Sequence, residues 1–215
     1  MKIAIDASLR TGGAEPFLLV WRVEGTATVD RPALAAAIKA ACNVAAESAN
    51  PAADAAVERY KAELVKLGRN PNRYRISSDA LIRRCRRDGA LPSIHPLVDL
   101  NNLLSVRTGW PIGCYDCGMV VGDVSYRLAC PGEIMATLGK GELDITNLPV
   151  LADEKGAFGS TVSDSVRTAV VETTDRPVFV MYGYGRPDEG ALAALVGEAV
   201  STAGLRLVDG PRLII

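Results

Sequence analysis

The sequence predicts an α+β fold, a mixed β-sheet core flanked by helices. Three observations carry that expectation. Short runs rich in β-branched and aromatic residues crowd into the second half of the chain, separated by glycine-bearing turns. Four helical patterns precede them and one follows, so strands and helices come in blocks rather than in the alternation of a doubly wound sheet. Of the 215 residues, 48% are hydrophobic, enough for a substantial core.

From the N-terminus, Met1 to Asp6 is a short apolar strand, Thr11-Gly12-Gly13 a turn, and Phe17-Leu18-Leu19-Val20-Trp21-Arg22-Val23 a second strand. Asp30 ahead of Arg31-Pro32 starts a helix, because a proline in the first turn lacks only an N–H that would have no intrahelical partner. Residues 33–46 continue it with strong helix formers. Pro51 opens a second helix over 51–67, closed by Gly68, with Val57, Tyr60, Leu64 and Leu67 on one face. An Asn/Pro-rich connection over 69–75 leads to a third helix, capped by Ser77 or Ser78 and ended by Asp88-Gly89. A fourth helix spans 96–107 and is stopped by Gly109 and Pro111. The β-type runs are 124–130, 134–138, 142–145, 150–152, 166–172 and 178–184. Pro187-Asp188-Glu189 opens a last helix with acids at its positive end, and 206–208 returns as an edge strand. Residues 1–215 read as one domain, with a helical elaboration over about 30–89 and a motif-bearing core over about 90–185.

The net charge of −1 leaves room for one strongly basic face, because distribution decides more than the sum. No apolar run approaches the ~20 residues that span a bilayer, and the N-terminus meets Asp6 too soon for a signal peptide. These features place the chain in the cytoplasm, away from membranes. Five cysteines, an odd number without an export signal, argue for reduced thiols rather than a disulfide framework.

The most unusual segment is 91–116, which sets polar groups inside an apolar pattern. Asp99 and Asn102 share a helical face with Leu103 and Val106, so each needs a hydrogen-bond partner if directed inward. Two readings follow from spacing alone: a buried polar brace between helix and sheet, or a binding site.

Val98-Asp99-Leu100-Asn101-Asn102, Gly109-Trp110-Pro111 and Tyr115-Asp116 resemble, in order and spacing, the Val-Asp-x-x-Asn, Gly-x-Pro and aromatic-Asp pattern of one family. That family is the B3/B4 editing and tRNA-binding domain of the phenylalanyl-tRNA synthetase β subunit. The runs 124–129, 131–133, 150–153 and 164–172 follow in the family's order, so the likeness covers about 90–172, and the preceding helices resemble free-standing members. The resemblance implies an aminoacyl-tRNA proofreading lineage: in the synthetase this domain hydrolyses tyrosine wrongly attached to phenylalanine-specific tRNA. It implies a substrate pocket in which Asn102 contacts the misacylated amino acid, Glu172 reads the tip of its side chain, and Gly159 forms part of the wall. Gly113 and Tyr115 complete that set. One position departs, because the family has a histidine where this chain has Gly113, which removes a donor and frees volume.

His95, the single histidine, lies ahead of the fourth helix and does not replace the missing imidazole. Cys114-Tyr115-Asp116-Cys117 has the Cys-x-x-Cys spacing of half a zinc site or a redox pair, in a turn bracketed by Gly113 and Gly118. A zinc site would need Cys130 and His95 as well, so no metal and no cofactor are expected. As catalytic candidates this leaves Cys114, Cys117 and His95, none of them compelled by pattern. Arg83, Arg84, Arg86 and Arg87, with Arg69, Arg73 and Arg75 upstream, suit phosphate oxygens and are the candidate tRNA-binding residues. The expected function is trans-acting deacylation of a mischarged tRNA. The alternatives are a non-catalytic protein that binds an amino acid or aminoacyl-tRNA, and a cysteine-dependent amino-acid-converting enzyme.

Overall fold

The computed structural model describes residues 1–139 and 141–215, with the side chains of all of these but Thr11 and Ala27. The elements are β1 Ile3–Ile5, β2 Pro16–Glu24, α1 Arg31–Ala46, α2 Pro51–Lys66, α3 Ser77–Asp88, α4 Pro96–Thr108, β3 Ile112–Asp116 and β4 Val124–Leu128. They continue with β5 Ile134–Thr137, β6 Gly141–Asp144, β7 Pro149–Asp153, β8 Gly156–Ser160, β9 Pro177–Tyr184, α5 Glu189–Thr202 and β10 Arg206–Ile214. This is the α+β arrangement with a mixed sheet that the sequence predicts. β1 runs parallel to β4, and β4, β7 and β8 follow antiparallel in the order β1-β4-β7-β8. A second sheet, β10-β2-β9-β3, is antiparallel throughout, and β5 and β6 form a separate hairpin.

Strands β2, β9 and β3 of the second sheet are buried on both faces, and strand periodicity divides their side chains between two cores. Phe17, Leu19, Trp21, Ile112, Cys114, Phe179 and Met181 pack with Leu97, Leu100, Leu103 and Leu104 of α4 and Val196 and Val200 of α5. Leu18, Val20, Tyr115, Val178, Val180, Tyr182 and Tyr184 face the other way, toward Tyr126, Val150, Leu151 and Phe158 of the mixed sheet and Val57, Tyr60 and Leu64 of α2. Burial on both faces explains why β2 reads as an unbroken apolar run.

The helix starts follow local chemistry. Asp30 accepts from Ala33 N at 2.9 Å, Asn50 from Ala53 N at 3.1 Å, and Asp188 from Ala191 N at 3.0 Å. Asn50 also donates to the carbonyl of Arg107 at 2.8 Å, tying the start of α2 to the end of α4. Gly109 ends α4 with φ 74°, and a Cβ there would overlap the backbone of Ala53, so glycine is required both by conformation and by the approach of α2.

Five expectations are corrected. The cap of α3 is Ile76, and neither serine caps it; Ser77 N donates to the carbonyl of Thr161 at 2.8 Å. Residues 113–118 are not a turn throughout, because 112–116 form β3. Residues 156–160, which lie between two expected β-type runs and carry no expected element, form β8. The run 166–172 is not a strand: a short 3-10 turn spans Val166–Thr168, and Val166 and Val171 are exposed. Cys42 of α1 and Cys85 of α3, both buried, are joined as a disulfide with Cα atoms 4.7 Å apart, against the expectation of reduced thiols throughout. An odd cysteine count without an export signal weighs against a framework of several bridges and does not exclude a single pair between packed helices. Among the described residues no helix is long and apolar enough to cross a membrane.

Candidate functional site

Tyr115 stands between the two sheets, fully buried, and its ring folds back over Gly113 two residues earlier on the same strand face. A Cβ built on Gly113 would overlap its Oη, and so would a Cβ built on Gly159 of β8. β3 and β8 therefore carry glycine for one reason: both flank the same phenol. Tyr115 Oη donates to Asp164 Oδ1 at 2.7 Å and lies 2.5 Å from Tyr182 Oη. Since the Tyr115 proton goes to the carboxylate, Tyr182 is the donor of the second bond. Phe158 meets the Tyr115 ring edge-on, with centroids 5.1 Å apart.

The phenols extend further. Tyr60 and Tyr126 hydroxyls are 3.0 Å apart, the Tyr60 and Tyr184 rings meet edge-on at 5.1 Å, and Tyr126 and Tyr182 rings lie at 5.4 Å. Burial pushes the Tyr60 phenol up to about 12 and raises those of Tyr115, Tyr126 and Tyr182 well above the ordinary range. Burial also pushes the Asp164 carboxyl up to about 7, against the opposing hydrogen bonds from Tyr115 and the backbone of Ser160. The meeting of Asp164 with the tyrosine cluster escapes sequence reading because residues 60, 115, 126, 164, 182 and 184 show no spacing that announces it.

The residues expected to line a substrate pocket do not share one surface. Gly113, Tyr115 and Gly159 meet at the phenol. Asn102 is half-buried on α4, whose neighbouring leucines pack on the opposite face of the second sheet from Tyr115. Glu172 is exposed in the turn after residue 171. Asp99 is a brace: its carboxylate accepts from Ser93 Oγ at 2.5 Å and Ile94 N at 2.9 Å, fixing the approach to α4. Asp116 accepts from Gly118 N at 2.8 Å and Thr174 Oγ1 at 3.0 Å, holding the end of β3 to the 171–174 turn.

His95 is the N-cap of α4, its Nδ1 accepting from Leu97 N at 3.3 Å. Cys114 is buried in the core against α4, whereas Cys117 packs against the core on the other side of the sheet. The pair therefore does not form a dithiol unit. Burial, then Asp164 and Asp116, raise the Cys114 thiol well above its ordinary range, which opposes a nucleophilic thiolate. Cys130 is exposed, and among the described residues no three of His, Cys, Asp and Glu converge to hold a metal ion.

The arginines sort into two groups. Arg86 points inward from α3 to Asp54 Oδ1 and Oδ2 at 2.7 and 2.8 Å and to the carbonyl of Ala45 at 3.1 Å, so it latches three helices together. Arg69 is largely buried, stacked 4.4 Å over the Tyr74 ring. Arg75, Arg83, Arg84 and Arg87 instead line an open basin of about 500 Å³ with Ala80 and Leu81. Helical spacing puts residues 80, 83, 84 and 87 on one face of α3. Asp79 serves Arg83 at 3.0 Å, Arg75 at 3.7 Å and Lys61 at 3.2 Å, and Asp88 serves Arg87 at 2.7 Å and Arg84 at 3.7 Å.

The pattern of a family described as the B3/4 domain matches residues 59–186. The chain is 32% identical over 105 residues to the phenylalanine–tRNA ligase beta subunit of Psychrobacter arcticus, covering 44% of this chain and 12% of that protein. It is 32% identical over 155 residues to the corresponding subunit of Neisseria gonorrhoeae, covering 62% of this chain and 20% of that one. The chain thus spans no more than a fifth of the length of these relatives. Among solved structures, an N-terminal fragment of the phenylalanyl-tRNA synthetase beta subunit from Pyrococcus horikoshii superposes with a TM-score of 0.53 at 14% identity, over 96% of this chain and 50% of that one. At that identity the likeness supports the fold.

Proposed function

Because this chain belongs to the B3/4 domain family, we propose that it is a protein that binds aminoacyl-tRNA in trans, holding the nucleic-acid backbone on the outer face of α3. The observation that carries this reading is the open basin of Arg75, Arg83, Arg84 and Arg87. The basin sets four arginines against Asp79 and Asp88 in a chain whose total is −1, so that face carries an excess of positive charge. Guanidinium groups on one helical face can each engage a phosphate oxygen in fixed geometry, releasing counterions as they do. The reading puts the protein in the cytoplasm, where charged tRNA is found. The test is fluorescence anisotropy with aminoacyl-tRNA across a salt series. Affinity should fall steeply with salt, and the triple change Arg83→Ala, Arg84→Ala, Arg87→Ala should weaken binding about ten-fold or more and flatten the salt slope by about 2. Binding that ignores both salt and the triple change would remove the reading.

A second reading, trans-acting deacylation, draws on Asp164. A carboxyl that exchanges its proton near neutrality, hydrogen-bonded to the phenol that Gly113 and Gly159 flank, has the proton affinity of a general acid or base. In that reading Asn102 would hold the aminoacyl group and Glu172 would read the side chain only after a rearrangement of their elements. Ester release measured over a panel of charged tRNAs, for the native chain and Asp164→Asn, decides between the two. Release at the spontaneous rate for every tRNA leaves binding alone.

A further inference from the structure

We propose that the cleft between α1, α4 and α5 is a binding site for a small hydrophobic monocarboxylate, with Arg107 holding the carboxylate and the alanine face of α1 covering the tail. α1 has alanine at positions 37, 40, 41 and 45, with Val44 among them, a spacing that puts all five on one helical face. Apart from Val44 nothing on that face reaches past Cβ, and the helices leave a cavity of about 460 Å³ against it. Val106 of α4 and Leu195 of α5 line it as well, so its walls are apolar except for Asn50, Arg107 and Glu198. Val44 stands 43% exposed at its edge. A cavity of this size, with apolar walls and a few polar groups, is the usual form of a small-molecule site. At ~30 Å³ for each water its volume is that of about fifteen waters, enough for an acid of about eight carbons.

The charged pair in its wall selects the ligand. Arg107 donates from one terminal nitrogen to Glu198 Oε1 at 3.1 Å and from the other to Oε2 at 3.3 Å, the two-bond geometry of a guanidinium on a carboxylate. The two partners are held unequally. The Arg107 side chain is 28% exposed and its carbonyl accepts from Asn50 Nδ2 at 2.8 Å, whereas the Glu198 side chain is 63% exposed. Among the described residues Arg107 is the only hydrogen-bond partner of Glu198. Arg107 is thus the fixed member and Glu198 the replaceable one. An incoming carboxylate takes over both bonds like for like, and Glu198 turns into water at small cost, because exposed ion pairs contribute little. What the exchange adds is the tail, which fills a cavity that Glu198 leaves open and takes its apolar walls out of water. A ligand amine has no such exchange, since it would have to displace Arg107 from the wall. The site shares no residue with the arginine basin on α3 or with the surroundings of Tyr115, so the inference goes beyond the reading above.

The experiment is thermal unfolding and calorimetric titration of the native chain with octanoate, octan-1-ol, octylamine and acetate. No tRNA is present, so failure here and failure of tRNA binding are separate results. Octanoate should raise the Tm saturably by about 3 °C, and each of the other three should bind about ten-fold more weakly or worse. Arg107→Met keeps an apolar stem and should weaken octanoate about ten-fold while leaving octan-1-ol unchanged. Glu198→Gln removes the competing carboxylate and should tighten octanoate about three-fold, a gain that a purely structural ion pair would not give. Ala40→Phe, at an exposed position of the wall, should fill the cavity and weaken octanoate and octan-1-ol alike. The proposal is overturned by no saturable shift with octanoate, by octylamine binding as tightly as octanoate, or by Glu198→Gln weakening octanoate. Arg107→Met or Ala40→Phe binding octanoate like the native chain overturns it as well.

Discussion

The space behind β3 and the outer face of α3 both hold polar clusters, and they are held in opposite ways. Behind β3 the partners are fixed in a chain: Tyr182 gives to Tyr115, which gives to Asp164, and both phenols are fully buried. On α3 the partners are shared, since Asp79 serves three cations and Asp88 two, and the arginines in the basin are about half exposed. Burial makes an unmade bond cost about 1–3 kcal/mol, whereas exposed ion pairs are worth about 0–1 kcal/mol. The first cluster should therefore speak through stability and the second through binding.

The largest expected effect comes from the space behind β3. Gly113→Ala puts a methyl on top of the Tyr115 hydroxyl, with Phe158 and the mixed sheet behind the ring leaving no direction for retreat. Overpacking of this kind costs about 1–3 kcal/mol, and more where a hydrogen bond is broken as well. In a chain of this length that is a fall in Tm of about 5–10 °C or outright misfolding, read by circular dichroism. A midpoint within about 1 °C of the native one would mean that Tyr115 does not occupy this space.

Next in size is the pH response of Asp164. Its carboxyl is pushed up to about 7 by burial, above its ordinary value of 3.8. Between those two values the folded chain keeps a proton that the unfolded chain has released. This contribution to stability is therefore complete below about pH 4, falls as pH rises to about 7, and is flat beyond. Asp164→Asn abolishes the titration while keeping an acceptor for Tyr115. The native Tm, taken relative to that of the variant, should drop by several degrees between pH 5 and 7.5; parallel curves would place Asp164 in a less desolvated setting.

These two predictions concern the part of the molecule least legible in the sequence. Helix starts at Asp30, Asn50 and Asp188 are readable because cap and first turn are neighbours in the chain, and β2 is readable because burial on both faces leaves a continuous apolar run. β3 reads as a turn because Gly113 and Gly118 look like breakers, and β8 falls in the gap between the runs 150–152 and 166–172. What makes Gly113 and Gly159 strand residues is Tyr115, whose approach to Gly159 spans 44 positions of sequence and has no local signature. The run at 166–172 misleads for the complementary reason. Its valines suit a pleat, yet Arg167 is drawn to Asp153 at 2.8 and 2.9 Å, and that fully buried carboxylate outweighs local propensity. Motif order finds the neighbourhood of the phenol, with Gly113, Tyr115, Gly159 and the run that opens at Asp164, but it carries Glu172 onto an exposed turn and gives Asp164 no role.

The smallest stability effects separate arginines that look equivalent in sequence. Arg86, Arg84 and Arg87 lie within four residues, and only Arg86 reaches across to other helices, with a bidentate pair to Asp54 and a bond to the carbonyl of Ala45. Arg86→Ala leaves that carbonyl and carboxylate without their donor and should cost about 1–2 kcal/mol, a few degrees in Tm, with little change in the salt slope of tRNA binding. Arg84→Ala and Arg87→Ala remove exposed groups whose shared partner is Asp88, and should move Tm by less than about 1 °C. In exchange each should weaken tRNA binding by about two-fold or more and lower the salt slope by about 0.7–0.9, the change that follows when one phosphate is no longer neutralised. If Arg86→Ala instead lowered the salt slope while leaving Tm unmoved, the division of the arginines into a latch and a phosphate face would fail. The contrast between buried and exposed clusters would then rest on Tyr115 and Asp164 alone.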